Sequence, residues 1–94
     1  MVLESALITV NDPEGFLGAL EQAKLVIAQA EGFRGIEARR GIERPDTFLL
    51  LITWDSLEHH TVGFRQGPLF PQWRSHIGPF FADAPTVEHW STIA

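Results

Sequence analysis

Ninety-four residues, 45% hydrophobic and 20% charged, are the size and composition of one globular domain spanning 1–94 and argue against disorder. Seven Lys and Arg against twelve Asp and Glu give a net charge of −5, which argues against nucleic acid as a partner. Cysteine is absent, so disulfides, thiolate metal sites and cysteine nucleophiles are excluded.

No stretch approaches the roughly 20 apolar residues of a membrane span. Met1-Val2-Leu3-Glu4 lacks the basic start of a signal peptide, so the cytoplasm is the expected location. Ala6 to Val10 is short and β-rich and reads as the first strand. Asp12-Pro13-Glu14 then opens a helix: Asp12 caps, Pro13 suits the first helical position, and Glu14 suits the positive dipole end. Phe16, Leu20, Ala23, Ile27 and Ala30 form its apolar stripe, and Gly32 ends it. Phe33 to Arg40 reads as a second strand with Gly35 at a possible bulge.

Arg34, Arg39, Arg40 and Arg44 cluster in this segment with Glu37 and Glu43 between them. A solvated face accounts for that pattern, and an anion-binding patch is its sharper alternative. A turn around Pro45 leads to the third strand, Thr47 to Trp54. Asp55 with Glu58 has capping-box spacing, so a helix is expected from Ser56 to about Arg65. Gly67 stops it, Pro68 opens a short helix to about His76, and Gly78-Pro79 ends that one. Thr86 to Thr92 is the last strand.

The order β-α-β-β-α-β is the α+β, ferredoxin-like pattern, with an antiparallel sheet and helices on one face. The third strand carries Phe48, Leu50, Ile52 and Trp54 on one face, and Leu49, Leu51 and Thr53 on the other. Both faces are largely apolar. The face away from the helices therefore needs a cover, and a homodimer packed sheet to sheet, a dimeric α+β barrel, supplies it.

No glycine-rich phosphate loop, zinc-protease helix motif or nucleophile elbow is present. Four histidines remain. His59 and His60 are neighbours, so on a helix they point about 100° apart and make a poor metal pair. No metal site is expected. His76 suits the end of its short helix, and His89 an edge or interface position. His60 shares a helical face with Phe64 and could reach a space between helix and sheet. There it is either a packed histidine or a base with a near-neutral pKa. Trp54 either fills the core or offers its indole N–H to a ligand. Phe64, Phe70, Trp73, Phe80 and Phe81 pack in the core, or together line a pocket for a flat apolar molecule.

The strand ending in Trp54, the run Asp55 to His60, Phe64-Arg65-Gln66-Gly67-Pro68-Leu69-Phe70, Ile77-Gly78-Pro79-Phe80-Phe81 and Val87-Glu88-His89-Trp90 resemble the antibiotic biosynthesis monooxygenase (ABM) domain family, as does Gly32-Phe33-Arg34-Gly35. The resemblance covers essentially the whole chain. It implies a dimeric α+β barrel and, from the family's oxygenases of aromatic polyketides and quinols, oxygenation without metal, flavin or haem. A small aromatic or quinol-like ligand is the implied partner. Trp54 matches the pocket tryptophan of those enzymes. Their pocket tyrosine falls at about His60 and their asparagine at about Leu50.

On that resemblance, His60 accepts a proton or holds an oxygen, Trp54 orients the substrate, and Phe64, Leu50, Phe70, Trp73 and Phe81 line its site. A haem-degrading branch needs an asparagine, a tryptophan and a histidine. Asn11 falls near the first, Phe64 and Arg74 occupy the others, and His76 stands two residues off. The same scaffold also suits a non-catalytic binding dimer, or an isomerase or decarboxylase.

Overall fold

The structure is a computed structural model that describes residues 1–93. Its elements are β1 (Val2–Thr9), α1 (Pro13–Ile27), β2 (Phe33–Arg40), β3 (Thr47–Trp54), a π-helical segment (His59–Phe64), α2 (Leu69–Ile77), a short 3-10 turn (Gly78–Phe80) and β4 (Thr86–Ser91). The four strands form one antiparallel sheet in the order β2-β3-β1-β4, the ferredoxin-like arrangement.

β1 begins four residues before the expected Ala6. Glu4 and Ser5 interrupt the β-rich composition, but the strand pairs with β3 without a break from Val2↔Trp54 to Thr9↔Thr47. Pairing on both sides outweighs local propensity there. Glu4, Ala6 and Ile8 thus share the buried face of β1.

Asp12 caps α1 by accepting from the Gly15 amide at 3.1 Å, and Pro13 takes the first turn. Phe16, Leu20, Ala23, Val26 and Ile27 are buried, and Phe16 meets Phe48 of β3 with ring centroids 4.8 Å apart. The helix ends at Ile27, five residues before Gly32. Turns then carry the chain to Gly32, whose φ of +81° is open to glycine and strained for other residues. A side chain there would also meet the His59 ring. β2 slips register between Phe33 and Gly35, so the bulge falls at Arg34.

The expected α-helix from Ser56 to Arg65 forms differently. It starts at Leu57 and widens into the π-helix, in which the Arg65 amide bonds to the His60 carbonyl at 2.9 Å. Asp55 does not cap it. That carboxylate pairs with Arg34, and the Ser56 hydroxyl accepts from the His59 amide at 3.3 Å instead. Wide turns of this kind occur often at functional sites, where they re-aim side chains. Here the segment turns His60 and Phe64 into the core.

α2 packs against α1, and β4 closes the sheet one residue short of Thr92. The basic cluster of β2 is largely a solvated face: Arg34, Arg39 and Arg40 pair with Asp55, Glu37 and Glu14. Among the described residues, no helix is long and apolar enough to cross a membrane.

Candidate functional site

Between the helices and the sheet lies a cavity of about 80 Å³. That is several times the roughly 10–15 Å³ one water needs. Leu50 from β3, Phe64 from the π-segment, Phe70 and Trp73 from α2, and Phe81 line it together with His60. All five expected contact residues therefore meet in one place with His60.

Trp54 does not reach this cavity. Its indole is fully buried behind the wall, stacked on the His60 ring at 5.3 Å and tilted against Phe64 at 5.4 Å. The reason is at its N–H, which donates to Glu4 Oε1 at 2.9 Å. Trp54 is thus tied to Glu4 and stands outside the cavity lining.

Glu4 is the residue missed in sequence. It lines the cavity and is 6% exposed. Its signal was available: it stands two residues before Ala6 and four before Ile8, on the face those residues bury. A charged residue in that phase is costly unless partnered. Its partners come from three elements. Trp54 arrives from β3. His60 Nε2, from the π-segment, lies 3.3 Å from the same Oε1. His89 of β4 sits opposite Glu4 in the β1–β4 register, and its Nε2 is 2.7 Å from His60 Nδ1. β4 is an edge strand, as expected for His89, but this imidazole turns toward His60 rather than toward solvent or an interface. His59 faces elsewhere, with Nδ1 at 2.8 Å from the Ser56 hydroxyl.

Burial dominates the acid–base properties of the cluster. It raises the Glu4 carboxyl above 4.5, against the smaller opposing effects of the Trp54 hydrogen bond and the Arg65 charge. It lowers His60 from 6.5 to about 4, helped by His89 and Arg65, and lowers His89 in the same direction. The close approach of His60 to Glu4 is therefore an imidazole beside a carboxyl group rather than a standing ion pair at neutral pH.

Two cations sit at the cavity wall. The Arg65 guanidinium lies over Phe70 at 5.7 Å, and Arg74 lies over Phe81 at 5.1 Å. Among the described residues neither has a carboxylate partner within ion-pair distance. The arrangement is thus an apolar chamber with one buried proton-accepting cluster and a positive rim. Such an arrangement favours negative charge at the rim and offers a proton acceptor at the wall. Among the described residues no three acidic or histidine side chains are grouped to hold a metal ion.

Comparison with known proteins places the chain in a family. The family model described as antibiotic biosynthesis monooxygenase matches residues 9–75. An uncharacterised Bacillus subtilis protein, YczJ, is 30% identical over 95 residues, covering 99% of this chain and all of that one. The crystal structure of a candidate antibiotic biosynthesis monooxygenase from Bordetella bronchiseptica superposes with a TM-score of 0.94 at 32% identity, over 99% of this chain and 97% of that one. SnoaB, a cofactor-independent oxygenase from Streptomyces nogalater, shares the fold with a TM-score of 0.85 at 13% identity, over 99% of this chain and 93% of that one. The chain belongs to the antibiotic biosynthesis monooxygenase family.

Proposed function

We propose that this protein is a cofactor-independent monooxygenase acting on a small aromatic or quinol-like molecule. The observation that carries the reading is the buried Glu4–His60 pair at the wall of an aromatic-lined cavity. A phenol gives electrons to O₂ far more readily as its phenolate. The polar cluster would remove the phenolic proton, and the rim arginines Arg65 and Arg74 would favour the anion formed. The substrate supplies all the electrons. The substrate loses two hydrogens, one from the phenol and one from the reacting carbon, which gains one oxygen from O₂, and the second oxygen leaves as water. SnoaB, named as a cofactor-independent oxygenase, supports this chemistry on the fold.

Oxygen uptake by the purified protein with a panel of hydroquinones and anthrones tests the reading. Uptake above the uncatalysed rate is expected. Saturable binding of panel members with no uptake would favour a passive binding protein, and product formation without O₂ an isomerase or decarboxylase.

A second copy of the chain is the proposed macromolecular partner. Leu3, Leu7, Leu49, Leu51 and Trp90 line a shallow apolar depression on the sheet face opposite the helices, and Trp90 is 53% exposed. Face-to-face packing would bury them. Leu51→Lys is expected to weaken the dimer about 100-fold or more, since losing one buried leucine costs about 1.5–3 kcal/mol before the charge is counted. Sedimentation at graded dilution reads this out, and a wild-type protein that stays monomeric at high concentration would remove the dimer.

A further inference from the structure

Glu4 is the most heavily buried acid of the cavity wall, and its chemistry is not accounted for by packing. We propose that Glu4, rather than His60, takes the substrate's proton, with Trp54 and His60 acting as positioning residues for its carboxylate. This rests on the oxygenase reading above and names the atom that does its first step.

The geometry divides the two carboxylate oxygens. Oε1 receives the Trp54 N–H at 2.9 Å and faces His60 Nε2 at 3.3 Å. Among the described residues no side chain bonds to Oε2. Glu4 itself lines the cavity. His60 is placed otherwise. Its Nδ1 is held by His89 at 2.7 Å, and its Nε2 is turned to Glu4. A substrate hydroxyl therefore meets an acceptor on Glu4 that no side chain occupies, whereas His60 has Nδ1 bonded to His89 and Nε2 turned to Glu4 at 3.3 Å.

Burial supports the same division. It moves the two groups in opposite directions, raising Glu4 above 4.5 and lowering His60 to about 4. Burial thus makes Glu4 a stronger base, and His60 a weaker one, than either is in free solution. The other charged or titratable groups facing the pair are His89 from β4, Arg65 beyond the π-segment and Arg74 from α2. Arg65 favours the Glu4 carboxylate, and both arginines would favour a phenolate.

The step balances. The substrate O–H bond breaks, its proton forms a bond to Oε2, and the electron pair stays on the phenolate oxygen. The phenolate is oxidised and O₂ reduced. A bond forms between the reacting carbon and one oxygen of O₂, the O–O bond breaks, Glu4 returns its proton to the oxygen that leaves, the hydrogen lost from the reacting carbon completes the water, and the carboxylate is restored.

The test is a pH titration of the ligand-free full chain by NMR, with isotope labels in the glutamate carboxyl and histidine rings, paired with kinetics on Glu4→Gln and His60→Gln. Glu4 is expected to take up its proton at a higher pH than His60. Glu4→Gln is expected to lower kcat about 100-fold or more with a small change in KM, the scale of a lost general base. Glu4→Asp should recover part of it. His60→Gln should retain the larger share of activity with a displaced pH profile, a displacement that loss of packing alone would not produce. His60 protonating before Glu4 would overturn the proposal, as would full activity in Glu4→Gln. The titration needs no turnover. A wild-type protein that oxidises no quinol therefore counts against the oxygenase reading, while the order of protonation still decides between Glu4 and His60.

Discussion

Trp54→Ala is expected to lower the unfolding free energy by about 3–5 kcal/mol, enough to unfold a large share of molecules if total stability is in the usual range of about 5–15 kcal/mol. Two causes add. The indole is fully buried between Phe33, His60 and Phe64, so its removal leaves a cavity among rings that cannot all collapse into it. The same change removes the N–H that Glu4 Oε1 accepts, leaving a buried carboxyl with one fewer donor. Trp54→Phe separates them. It keeps most of the ring and loses the donor, so about 1–3 kcal/mol is expected, together with a further rise in the Glu4 pKa. Urea unfolding of the three proteins checks both numbers. A Trp54→Ala loss below about 1 kcal/mol would contradict the packing account.

Acid is expected to destabilise the fold through His60. Its pKa is lower in the folded state than in the unfolded chain, so the unfolded state binds the proton first. Stability from this group is complete above 6.5 and is lost as pH falls towards about 4. The full loss is worth about 3 kcal/mol. His89 is shifted the same way and adds to the loss. Glu4 has the opposite sign: its pKa is raised by burial, so protonation relieves a penalty and gives part of the loss back. His60→Gln should therefore lose less stability on acidification than the wild type. Unfolding midpoints measured from above 6.5 down to about 4 read the difference. Parallel curves for the two proteins would show that His60 is not the group responsible.

Most of the architecture was legible because periodicity and end signals agreed. Asp12-Pro13 marked the start of α1, and the apolar run from Phe48 to Trp54 marked β3 with both its faces. Phe64, Phe70, Trp73 and Phe81 were legible as aromatic surface at helical or loop positions, and Leu50 through the family resemblance; all five line one cavity. The misses share a physical cause: side chains whose roles are set by distant partners. Ser56 caps because Arg34, 21 residues away, has taken Asp55. The π-helical turn has no periodic signature in six residues. Glu4 was passed over because a glutamate lowers strand propensity, although pairing with both β3 and β4 holds β1 together through it. Trp54 reads as a substrate contact in sequence because the partner of its N–H, Glu4, lies 50 residues away.

The central claim is that a substrate deprotonated beside Glu4 and His60 reacts directly with O₂. Turnover of a hydroquinone or anthrone under isotopically labelled O₂, with metal-chelated protein and mass analysis of the product, tests it most directly. One labelled oxygen atom in the product is expected for each O₂ consumed, with loss of that incorporation in Glu4→Gln. Product carrying no label, or labelled equally with and without the protein, would contradict it.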